Sequence, residues 1–90
     1  MIEDQNTIPM SRQKDTRPTF RQLRERYRLS YFEIAQQARV HVRAVYWMEL
    51  GYPTEFPLAL RILNVLSGRA ERIIRLEEMQ GVRVNMSFIV

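Results

Sequence analysis

Apolar residues along this chain recur at helical spacings only from Phe20 onward. Phe20, Leu23 and Tyr27 fall on one side of a helix, which predicts a short first helix ending near Tyr27. Thr19, just after Pro18, opens it, and Gln22 three residues on completes a capping-box pattern. Arg21, Arg24 and Arg28 share the adjacent flank by the same geometry. Ser30 and Glu33 repeat the capping signal, and Ile34, Ala35 and Ala38 form the inward side of a second helix of about two turns. Arg39 and Val40 leave room only for a tight turn. A third helix then starts at His41 or Val42 and runs to Glu49, with Val45 and Met48 inward. Gly51 is placed to stop it in a left-handed conformation, and Pro53 cannot continue it.

Thr54 to Ser67 is the most apolar stretch and predicts a central fourth helix. Pro57 is tolerable only in a first turn, so that helix starts between Thr54 and Phe56, and Ser67-Gly68 breaks it. Ala70, Ile73, Ile74 and Leu76 or Met79 support a fifth helix ended by Gly81. From Val82 to Phe88 apolar and polar residues alternate, which reads as a strand. The sequence shows no second strong strand. Thr7 to Met10 is the one intramolecular candidate, and Pro9 weakens it by removing a donor. A strand with unpaired amides is not stable alone, so pairing with the same strand of a second copy is expected. That predicts a homodimer joined by a two-stranded antiparallel ribbon near residues 82–88. The expected fold is all-α: a polar arm at 1–17, a compact five-helix domain at 18–80, and a short C-terminal β-strand at 81–90.

Composition narrows the chemistry. Ninety residues allow one small domain, with no separate catalytic domain beside it. The absence of cysteine excludes disulfides, thiolate metal sites and thiol nucleophiles. His41 is the single histidine, so neither a multi-histidine metal site nor a histidine-centred arrangement around Ser11, Ser30, Ser67 or Ser87 can be assembled. No enzyme, metal or cofactor is expected. No apolar run approaches the roughly 20 residues of a membrane span, and the start MIEDQ does not read as a signal peptide. A soluble, cytoplasmic protein is the expectation.

The net charge is +4, but its placement says more. Arg12, Lys14, Arg17, Arg21, Arg24, Arg26 and Arg28 face only Asp15 and Glu25 within the same stretch. Such a block either attracts a polyanion or is a solvated arm and helix face.

Leu23-Arg24-Glu25, Leu29-Ser30, Glu33-Ile34-Ala35, Val40, Val45 and Glu49-Leu50-Gly51 stand in one register. In it the chain resembles the Xre/Cro/lambda-repressor-like helix-turn-helix family over about residues 20 to 67. The resemblance implies a structural bridge between Arg24 and Glu49 and a recognition helix at about residues 42–49 that enters the major groove. Its DNA-facing positions are then Val42, Arg43, Ala44, Tyr46 and Trp47, with Tyr31 at the position that opens the second helix against phosphate. Arg12, Lys14, Arg17, Arg21, Arg28 and Arg39 are the candidate backbone contacts. His41 stands where the family usually places a Ser or Thr cap.

The chain also departs from the family. Base-reading positions there are commonly Gln, Arg, Ser, Thr, Lys or Asn, whereas only Arg43 here is a strong base reader, suited to guanine. Val42 and Ala44 can touch thymine methyls, and Tyr46 and Trp47 are large for the role. Tyr31 replaces a frequent glutamine, though a hydroxyl can also bond phosphate. The implied function is a DNA-binding transcriptional regulator, a repressor acting on double-stranded DNA as a homodimer. The alternative is a helix-turn-helix domain used as a protein-interaction module, an antitoxin or adaptor, with its partner at Phe32, Tyr46 and Trp47. Phe32 and Trp47 folding back onto the arm or the C-terminal segment would remove that surface.

Overall fold

In a computed structural model of the chain, which describes residues 15–85, both capping boxes form. Thr19 Oγ1 accepts the Gln22 N–H at 3.1 Å and the Gln22 side chain accepts the Thr19 N–H at 2.9 Å, opening α1 (Phe20–Arg26). Ser30 and Glu33 exchange the same two bonds at 3.0 Å each and open α2 (Tyr31–Ala38). Each pair satisfies amides that no helical carbonyl can reach. Arg39 ends α2 in the left-handed region. His41 Nδ1 then accepts the Arg43 N–H at 3.0 Å and starts α3 (Val42–Leu50). Gly51 closes α3 at φ 92, and an added Cβ there would lie 3.3 Å from the Gly81 carbonyl, so glycine suits both the dihedral and the approach. β1 (Thr54–Glu55), α4 (Phe56–Ala70), a 3-10 turn (Leu76–Glu78) and β2 (Val84–Asn85) complete the order.

The core is one cluster. Phe20, Leu23, Ile34, Val45, Met48, Ile62 and Leu66 are among its buried members, closed at one end by Ile74 and Met79. α4 touches α2, α3 and both strands, which is why its sequence is apolar on most sides. None of the described helices is long and apolar enough to cross a membrane.

The fold is mostly helical, but it has four α-helices among the described residues rather than the expected five. α4 runs through Ser67-Gly68 to Ala70, where Glu71 closes it at φ 61. The segment that follows is not a helix. Side chains take its backbone donors instead: Ser67 Oγ accepts the Ile74 N–H at 2.9 Å, and Glu78 accepts the Arg75 N–H at 3.3 Å. Ile74 and Met79 reach the core from this extended path, while Ile73, counted as an inward residue, is 74% exposed.

The C-terminal strand also finds a partner that the alternation did not reveal. β2 pairs in parallel with β1, Thr54 opposite Val84 and Glu55 opposite Asn85, and the Thr54 N–H donates to the Arg83 carbonyl at 2.9 Å. Val82 and Val84 pack against the core and Arg83 and Asn85 face outward, so the expected alternation is present. At residues 84–85 the strand is therefore not a lone one: β1 of the same chain pairs with one of its edges. Residues 86–88 and Thr7 to Met10 lie outside the described residues. A second clasp lies upstream, where the Gln80 N–H donates to the Pro18 carbonyl at 3.0 Å.

Glu71 holds a left-handed conformation with a Cβ, which costs about 1 kcal/mol that glycine avoids. Glu71→Gly is expected to stabilise the fold by about 0.5–1 kcal/mol in urea unfolding at unchanged m-value. A loss of stability would show that this cap is unstrained.

Candidate nucleic-acid interface

Glu49 lies in the last turn of α3 with its side chain only 3% exposed. A carboxylate so placed needs donors. Arg24 Nε, from α1, donates to Oε1 at 2.7 Å. Arg21 Nε, also from α1, donates to Oε2 at 2.9 Å, and the Tyr31 hydroxyl, from α2, donates to Oε2 at 2.6 Å. Arg24 Nη1 reaches further to the Leu29 carbonyl at 3.2 Å, and its guanidinium lies 4.2 Å from the centre of the Tyr31 ring. Three helices therefore meet on one carboxylate. Burial pushes the Glu49 carboxyl up, but the bonds from Arg24, Tyr31 and Arg21 outweigh it and hold the group below its ordinary value. The hydrogen bond to Glu49 in turn raises the Tyr31 hydroxyl.

This geometry changes the role of Tyr31. Its hydroxyl proton is given to Glu49, and phosphate oxygens only accept, so a phosphate contact by Tyr31 competes with that bond. Arg21 is better placed. Only its Nε meets Glu49, and its side chain is 59% exposed beside the start of α2.

The outward side of α3 carries exposed Arg43, Tyr46, Trp47 and Leu50, with Val42 and Ala44 half-buried. The Arg43 guanidinium stands over the Trp47 ring at 5.5 Å, and Trp47 meets Tyr52 edge-on at 6.5 Å. Tyr46 meets Tyr31 edge-on at 5.5 Å. Phe32 is 72% exposed and does not fold back onto the described residues. Beside Arg43 lies a hollow of about 370 Å³ between α3 and the link to α4.

The candidate backbone contacts separate. Arg28 and Arg39 are exposed, both at positive φ, one after α1 and one at the turn into α3. Arg17 is occupied: its Nε bonds Asp15 at 2.9 Å and its Nη1 bonds the Glu77 carbonyl at 2.8 Å. The Arg17 contact lowers the Asp15 carboxyl to about 2. Arg17 thus fastens the start of the domain to the 3-10 turn rather than standing free for phosphate. Arg12 and Lys14 lie outside the described residues. Sequence reasoning missed the Arg21–Glu49 bond, although Arg21 and Arg24 share a flank. It also missed the hollow, which depends on the path of β1 and has no sequence signal.

Comparison of the chain with models of protein families, with curated proteins and with solved structures gives no match. Its interface is therefore read from its own residues.

Glu49→Gln leaves Arg24, 14% exposed, against a neutral amide, and is expected to lower stability by about 3 kcal/mol at pH 7. Tyr31→Phe removes one bond to the carboxylate and is expected to cost about 1–2 kcal/mol in the same denaturant titration. Because the folded carboxyl ionises below its unfolded value, its contribution is complete above the ordinary carboxylate range. It is lost as pH falls through that range and the depressed folded value. Stability of Glu49→Gln should therefore fall less steeply with acid than that of the parent chain. Equal slopes would assign the acid sensitivity to another group.

Proposed function

We propose that this chain is a sequence-specific regulator of double-stranded DNA, a repressor of helix-turn-helix type in which α3 is the recognition helix. The observation that carries this reading is the three-helix tie on Glu49. It fixes α3 against α1 and α2 and turns Arg43, Tyr46 and Trp47 outward on one ridge, next to the tight turn from α2. An α-helix fits the major groove, and Arg43 suits the O6 and N7 acceptors of guanine. Arg21, anchored through Nε, presents its remaining amines to backbone phosphate, with Arg28 and Arg39 as further cationic positions. A homodimer on two half-sites belongs to this reading.

A second reading has a specific observation behind it. Phe32, Tyr46, Trp47 and Tyr52 are 72%, 44%, 45% and 55% exposed, and Trp47 meets Tyr52, exposed aromatic surface of the kind that docks proteins. An interaction module would use this surface and leave DNA alone.

Binding to random-sequence duplex DNA at about 50 mM and about 200 mM salt separates the two. A DNA regulator binds at low salt with a steep loss as salt rises. Arg28→Ala, an exposed position outside the tie on Glu49, should reduce the log–log slope by about one without changing sequence preference. Arg43→Ala should cost about 1–3 kcal/mol on a selected site and much less on random duplex. No binding even at low salt favours the interaction module.

A further inference from the structure

Base edges in the major groove are read by hydrogen bonds or by contact with the methyl group on C5 of a pyrimidine. The side chains of α3 decide which of these the chain can use. Val42 to Leu50 contains no Asn, Gln, Ser, Thr or Lys. Adenine thus has no amide on α3 to bond its N6 and N7 together. The one carboxylate of α3, Glu49, is buried and already accepts three hydrogen bonds, so it is closed to the cytosine amine. One guanidinium remains, with the polar tips of Tyr46 and Trp47 and a largely apolar surface.

That surface borders the hollow beside Arg43. Ala44, Trp47, Pro53 and Leu58 give it apolar walls, and Glu55 stands among its polar ones. Arg43 and Trp47 are four residues apart on one stripe of α3, with the guanidinium 5.5 Å from the ring centre. Arg43 and Trp47 both line the hollow, so a guanine held by Arg43 lies beside it.

We infer that α3 reads a guanine adjacent to a 5-methylpyrimidine. Arg43 takes guanine O6 and N7, and the neighbouring C5 methyl packs in the hollow against Ala44 and Trp47. The inference rests on the DNA-binding reading above. Thymine and 5-methylcytosine both carry that methyl. Glu55, an acceptor, suits the N4 amine of 5-methylcytosine and does not suit thymine O4.

The test starts from duplexes enriched by the full chain out of a random library. A selected site is then resynthesised with thymine, uracil, 5-methylcytosine or cytosine at the pyrimidine next to the guanine. One buried methyl is worth about fourfold in affinity. Thymine is expected to bind about fourfold tighter than uracil, and 5-methylcytosine about fourfold tighter than cytosine. Comparing the two methylated duplexes tells which base the site prefers. Trp47→Ala should bring both ratios to one. Arg43→Ala should weaken all four duplexes alike. Selected sites without a guanine–pyrimidine neighbour, equal binding with and without the methyl, or ratios that survive Trp47→Ala overturn the inference and leave the DNA-binding reading standing. Failure to enrich or bind any duplex overturns both.

Discussion

A single buried carboxylate sets how the first three helices can lie. Glu49 is satisfied only when Arg24 and Arg21 come from one side and Tyr31 from another. Turning α3 by one residue would swing that carboxylate about 100° around the helix axis and leave a charge buried without partners. Apolar packing would tolerate several neighbouring arrangements at similar cost, since Val45 and Met48 are held by shape alone. The carboxylate tolerates one. Burial of the core thus supplies most of the stability, and the ionic tie selects the geometry in which that burial occurs.

The same tie reaches the surface through aromatic rings. Tyr31 gives its hydroxyl to Glu49, its ring face to Arg24 and a ring contact to Tyr46. On the other flank, Arg43 lies over Trp47, which in turn meets Tyr52. The exposed ridge of α3 is therefore built from mutually supported groups with few free torsions. Such groups lose little conformational freedom when a ligand orders them. An arginine resting on an indole is partly arranged before any ligand arrives.

Much of the helical part was legible in the chain. Thr19–Gln22 and Ser30–Glu33 mark two helix starts through local chemistry, and Gly51 marks an end, because each signal lies within a few residues of the backbone it satisfies. The Arg24–Glu49 pair came from the resemblance, since nothing local joins positions so far apart. Three features escaped for a common reason. β1 is two residues long, too short for an alternation to register. Ala70 to Met79 has helical spacing, but Ser67 and Glu78 claim its amides. Tyr31 looked free because its acceptor comes from α3. In each case the deciding partner lies elsewhere in the sequence or competes with a weak local preference.

The molecule is held by two fastenings of unlike kind. One is ionic and gathers α1, α2 and α3. The other is made of backbone bonds, Thr54 to Arg83 and Gln80 to Pro18, and wraps the C-terminal segment across both ends of the helical core. Protons act on the first and scarcely on the second. Denaturant, which solvates apolar and peptide groups alike, acts on the second and on the core beneath both. Acid therefore acts at the seat of α3 and not on the wrap, whereas peeling of the wrap would draw Ile74 and Met79 from the core while leaving the three donors of Glu49 in place. Because β1 belongs to the wrap and borders the hollow beside α3, such peeling would reshape that hollow without disturbing the buried carboxylate.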